Sequence, residues 1–181
     1  AFAYYGSGFQ FKKKKVFAFT ADGGGDGSAA SLWLCQNSKM RLLSKTPVYT
    51  SIAYLYLYTT YYLGLKPVED EYKVMGLAPY ASKNKIPEVL ESLKKFIDID
   101  PKTLIFTSPI NTNVFHEYLP RIYSRKRFDV IAGAIQRLAE ERVTRWVSLA
   151  LNKYKINTIV TAGGFFANVK VNQKIAQLAL V

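Results

Sequence analysis

The stretch FTADGGGDGSAASLWL, Phe19 to Leu34, sets four glycines and two aspartates between two apolar, strand-like runs. An Asp-Gly pair alone supplies the positive φ angles of a tight hairpin turn. Six turn-type residues between buried strands ask for more than a turn. Glycines let the backbone close on an anion without Cβ clashes, and a carboxylate at a strand end can hold a divalent cation or orient a water near a phosphate. Asp22 falls at the strand end and Asp26 at the loop exit. The run is no P-loop, because no G-K-[ST] follows, and it lacks the spacing of a dinucleotide fingerprint.

The flanking runs Val16–Ala21 and Ala29–Gln36 read as strands, and QNSK turns the chain into a third, MRLLSKT. Connections this short predict an antiparallel three-strand meander. Ser51 to Gly64 is aromatic almost throughout; its length, with Gly64 and Pro67 as punctuation, predicts a helix. EDEYKVMGLAPYA predicts a short helix broken at Gly76 and Pro79, and KIPEVLESLKKFI an amphipathic one with Val89, Leu90, Leu93 and Phe96 on one face. Residues 98–127 are poorly patterned and predict loop with short strands. Residues 129–154 carry the clearest helical period, through Ile131, Ile135, Leu138, Val143, Trp146 and Val147. TIVTAGG then reads as a short buried strand running into Gly163 and Gly164, followed by a second helical pattern. Strand, Gly-Gly, helix lets backbone N–H groups approach a phosphate. Together the two glycine sites predict a nucleotide cleft between two lobes.

A chain of 181 residues that is 49% apolar can bury one sizeable core. Its formal net charge of +12 points to an anionic partner: nucleic acid, a phosphorylated ligand or an acidic surface. The charge gathers at Lys12–Lys15 and Arg121–Arg127, where the plain alternative is a pair of solvated loops, the reading favoured for the lysine run. The one cysteine, Cys35, lies in an apolar run, so it reads as a buried thiol in a reducing, cytoplasmic compartment. No apolar run has the length of a membrane span, and no signal peptide pattern is visible. The chain starts at Ala1 and is read here as a piece of a longer protein. His116 is the lone histidine and reads as a polar loop residue. No Ser/His/Asp set or Cys/His metal spacing can be assembled, which leaves Asp22 and Asp26 as the well-placed carboxylates.

Three blocks carry a resemblance. AYYGSGF with TADGGGDG is similar to A-Y-Y-x-S-x-F and D-G-x-G-D-G. SIAYLYLYTTYYLG with EDEYKVMGLAPYA resembles S-L-G-x-x-Y-S-x-x-T-x-x-L-G-F and D-E-x-K-V-M-G-L-A-x-Y-G. FDVIAGAIQRLAEERV with TAGGFFANVKVNQKI resembles A-x-x-I-Q-x-x-L-E-E and A-G-G-V-x-x-N-x-x-x-N. In this order they resemble the O-carbamoyltransferases related to those acting on nodulation factors and on aminoglycoside or cephem antibiotics.

The resemblance implies an α/β chain with part of an actin-like ATPase (ribonuclease H-like) fold, its mixed sheet holding the meander and flanking helices. Residues 1–64 would be the first-lobe meander and helix, 65–127 an insertion and loops, and 128–181 the start of the second lobe. It implies transfer of a carbamoyl group from carbamoyl-adenylate to a hydroxyl of a small-molecule acceptor. The adenylate would be made from ATP and carbamoyl phosphate in a C-terminal domain of the same parent chain. By position, Asp22 matches a ligand of an iron-type divalent metal. Gly23, Gly25, Gly27, Gly163, Gly164 and Asn168 match the nucleotide loops. Lys73 could face a phosphate or pair with Glu71, and Asp26 is the guess for the general base. The family's H-x-x-x-H metal pair would fall before Ala1 and its last metal aspartate after Val181, while Ala53 and Leu57 replace a glycine and a serine. The parent protein is thus expected to be the enzyme and this piece to turn over poorly. A tRNA threonylcarbamoyl-transferase-like enzyme and a non-catalytic nucleotide-binding fragment are the alternatives, and KVMGLAPY favours the small-molecule enzyme, with neither nucleic acid nor membrane as partner.

Overall fold

Strands β1 (Val16–Gly25), β2 (Ser28–Gln36) and β3 (Lys39–Pro47) form the expected antiparallel meander. The structure is a computed structural model and describes residues 1–179. Aromatic and apolar residues bounded by turn chemistry make these strands, as the sequence predicts. Helix α1 (Phe2–Gly6) precedes them and had no period to announce it, being only five residues long.

After β3 come α2 (Ile52–Tyr62), α3 (Glu71–Leu77), which a 3₁₀ turn continues through Pro79, and the amphipathic α4 (Ile86–Lys94). The poorly patterned segment holds a small hairpin of β4 (Asp98–Asp100) and β5 (Ile105–Thr107), then the short α5 (Leu119–Tyr123). The long helix α6 (Phe128–Tyr154) follows, then β6 (Ile159–Ala162) and α7 (Val169–Ala179).

Strand β6 pairs in parallel with β1, in register from Phe17 opposite Ile159 to Thr20 opposite Ala162. The sheet order is therefore β3-β2-β1-β6, a mixed four-stranded sheet. Ile159–Ala162, within the segment expected to begin a second lobe, thus lies in the same sheet as the meander, because β6 finds its backbone partners on β1. TIVTAGG reads as a buried strand; among the described residues β6 has one strand neighbour, β1, and is half-buried along its whole length.

Alternation along β1 divides the core. Phe17, Phe19 and Ala21 point to the main core with α2, α4 and α6, while Val16 and Ala18 point to a smaller one with Tyr4 and Cys35. On the main face the Trp146 ring stands edge-on to Phe19 at 4.9 Å, and its indole N–H donates to the Leu104 carbonyl at 2.9 Å. Cys35 is fully buried, as expected, and burial pushes its thiol pKa up. Lys12–Lys15 are all exposed. In the second basic run Lys126 pairs with Glu88 at 2.6 Å and Arg127 with Asp129 at 3.2 Å.

Candidate functional site

The glycine run resolves into two devices. Asp26 and Gly27 have φ of +52° and +68° and close the β1–β2 hairpin as a two-residue turn, with Gly25 opposite Ser28. Before it, the three residues Asp22, Gly23 and Gly24 stand opposite the single Ala29, so the strand bulges. Gly24 is required there: a Cβ would lie 2.3 Å from Val48 Cγ2. The bulge turns the backbone of Asp22 and Gly23 towards the N-terminus of α2. There Ser51 caps the helix, accepting from the Tyr54 N–H, and its hydroxyl donates to the Asp22 carbonyl at 3.2 Å.

Parallel pairing brings the second glycine site to the same place. Gly163 follows β6 directly, with φ of +100°, and a Cβ would fall 2.2 Å from the Ala21 carbonyl oxygen. Only glycine permits that approach. The Asp22 carboxylate accepts from its neighbour Gly23 N–H at 2.8 Å and from Gly164 N–H at 3.3 Å. One side chain thereby clasps both glycine loops at the carboxyl ends of two parallel strands, where open α/β sheets place their ligands.

A cavity of about 420 Å³ opens beside this clasp. Its floor is Asp22, Gly23 and Gly164, and its walls are largely apolar, with Leu57 from α2, Met75 from α3 and Phe165 from the second loop. Its charged lining residues are Asp22, Glu69 and Glu71, and neither Lys, Arg nor His is among them. Glu71 is held by the Val68 N–H at 2.7 Å. Tyr56 also lines the cavity; burial first, and the Glu71 and Glu140 carboxylates second, push its hydroxyl pKa well above the usual phenol range. It stays a neutral hydroxyl.

Of the residues singled out in the sequence, Asp22, Gly23, Gly164 and Asn168 line the cavity, with Gly163 directly behind. Gly25 and Gly27 belong to the hairpin end, and Asp26 holds its tip, where its carbonyl accepts from Lys45. Lys73 does not line the cavity; it pairs with Asp70 at 2.9 Å, which corrects the pairing with Glu71. That ion pair raises the lysine pKa and lowers that of Asp70. His116 packs against Tyr58 with the rings tilted and their centroids 5.1 Å apart. Sequence reasoning passed over Gln136 and Tyr56. Gln136 stands inside the IQRLAEE block, but a glutamine in an amphipathic pattern looks like solvent-facing filler.

The donor set does not make a metal centre. Among the described residues no group of three or more His, Cys, Asp or Glu could hold one. Asp22 shares the cavity lining with Glu69 and Glu71, and each of its two oxygens accepts one backbone N–H.

The model of the carbamoyltransferase N-terminus matches residues 1–180. The chain belongs to this family. An uncharacterised protein of Methanocaldococcus jannaschii is 32% identical to this carbamoyltransferase N-terminal chain over 191 residues, covering 97% of it and 31% of the relative. The nodulation protein NolNO of Sinorhizobium fredii is 36% identical over 92 residues, 51% of this chain and 13% of its own. The nodulation protein NolO of Bradyrhizobium diazoefficiens is 36% identical over 88 residues, 49% and 16% of the two chains. The chain spans about a third or less of the length of these relatives. Among its described residues no helix is long and apolar enough to cross a membrane.

Proposed function

We propose that this chain is the adenylate-binding part of a carbamoyltransferase with an actin-like ATPase fold. The meander with a parallel fourth strand on β1 supports that fold. In the reaction, the oxygen of an acceptor hydroxyl forms a bond to the carbamoyl carbon of carbamoyl-adenylate. The carbon–oxygen bond to the phosphate breaks, AMP leaves and the hydroxyl proton is released. A further domain of the parent protein would supply the adenylate from ATP and carbamoyl phosphate. The acceptor is a small molecule.

The observation that carries this reading is the charge of the cavity. In a chain of net charge +12, it is lined by three carboxylates and, among the described residues, no basic side chain. A triphosphate is repelled from such walls. An adenylate brings one phosphate in place of three, so it meets less of that repulsion, and a neutral base that suits apolar walls. Isothermal titration of AMP and ATP without divalent cation tests it. AMP is expected to bind at least tenfold more tightly; ATP binding as tightly as AMP, or no binding of either, overturns the reading.

A further inference from the structure

Gln136 is buried on α6, 4% exposed, and every valence of its amide is used. Its Nε2 donates to Glu140 Oε1 at 2.8 Å and to Asn168 Oδ1 at 3.2 Å. Its Oε1 accepts from the Tyr56 hydroxyl at 3.0 Å and from Asn168 Nδ2 at 2.9 Å. Glu140 fixes the direction of this amide. A carboxylate only accepts, so the NH₂ end must face it, and a flipped amide would set oxygen against oxygen.

That polarity passes to the cavity. Gln136 does not line it, but Tyr56 and Asn168 do. Tyr56 spends its proton on Gln136, which leaves the hydroxyl oxygen an acceptor. Asn168 spends one N–H on Gln136, while its Oδ1 also caps α7 through the N–H groups of Lys170 and Val171, at 3.2 and 3.1 Å. One Asn168 N–H remains as a donor. We propose that Gln136 is a positioning residue that fixes Tyr56 as acceptor and, together with the α7 N–H groups on Asn168 Oδ1, Asn168 as donor, so that the cavity selects a neutral ligand edge carrying an acceptor beside a donor. Two groups of an adenylate have that edge: the carbamoyl group and the N1/N6 edge of adenine. The proposal rests on the cavity being the ligand site.

The test is Gln136→Glu, which keeps the shape and replaces the donor end by a titratable group. Burial and the facing Glu140 carboxylate raise the introduced carboxyl's pKa, so it is protonated at low pH and regains one donor. Tyr56 stays neutral throughout, and Asn168 does not titrate. Against wild type, AMP affinity is expected to fall at least tenfold at pH 8 and to recover towards wild type at pH 5. Unchanged affinity at both pH values, or an equal loss at both, overturns the proposal. Inosine monophosphate, whose edge is reversed, and methyl carbamate, followed by NMR, separate the sources. A loss for AMP with inosine monophosphate weak in both proteins assigns the base edge, and a loss for methyl carbamate assigns the carbamoyl group. A loss for neither AMP nor methyl carbamate overturns it. Without ligand, amide-exchange protection of Lys170 and Val171 should drop at least tenfold in Gln136→Glu at pH 8 and not at pH 5. Unchanged protection overturns the proposal whether or not any probe binds, whereas wild type that binds no probe, with protection lost as expected, refutes the cavity reading alone.

Discussion

The Asp22 carboxylate accepts a hydrogen bond from the Gly164 N–H, 142 positions along the chain, at 3.3 Å. It can do so because β6 lies parallel beside β1 and Gly163 passes against the Ala21 carbonyl. Gly163→Ala is expected to lose about 1–3 kcal/mol from backbone strain. The thermal midpoint falls accordingly, at about 2–4 °C per kcal/mol for a chain of this size. A midpoint equal to wild type would mean that the loop does not approach β1 as described.

Gly24 tests the bulge. Gly24→Ala drives a methyl group into Val48 and should cost about 1–3 kcal/mol, the range for an overpacked contact. Val48→Ala in the same chain removes the obstructing atoms and should recover most of that loss. Urea unfolding of the two single variants and the double variant reads the coupling; additive losses contradict the contact.

Asp26 has a backbone angle that asparagine shares and β-branched residues avoid. Asp26→Asn should unfold as wild type does, while Asp26→Val should lose about 1–2 kcal/mol. Equal stability of the two would remove the turn role described for this residue.

Arg127 pulls the Asp129 carboxyl below its ordinary range, with burial working against it. A carboxyl more acidic in the folded chain than in the unfolded one adds stability above its unfolded pKa. That stability is lost as pH falls through the folded value. The urea midpoint should therefore decline below about pH 4, and Arg127→Met should flatten the decline. An identical acid limb in both proteins would show that the pair contributes nothing.

The meander was legible because its signals are local: alternating strands, Asp26-Gly27 at one turn, Asn37 and Ser38 at the other. Helix α6 was legible from a period sustained over many turns. The place of β6 was not, because nothing inside TIVTA says which strand it will pair with. Asp22 and the two glycine loops could be singled out in the sequence, since glycines crowded at strand ends have few other uses. Gln136 could not, because its importance lies in four hydrogen bonds to residues on α2, α6 and the second glycine loop. Lys73 drew attention through its motif, but its partner Asp70 is set by the turn that begins α3.

The burial of Trp146 decides what light can report about this molecule. The chain has two tryptophans; Trp146 is sealed between Phe19 and Phe106, and Trp33 packs on the opposite face of the sheet beside Cys35. Neither lines the cavity, whereas Tyr56 and Tyr72 do. Trp146 emission is therefore a gauge of the core, shielded from quenchers, while Trp33 is half-buried and tyrosine absorbance is the channel that senses a ligand. A compound that dims Trp146 has moved the core around it, not touched its ring.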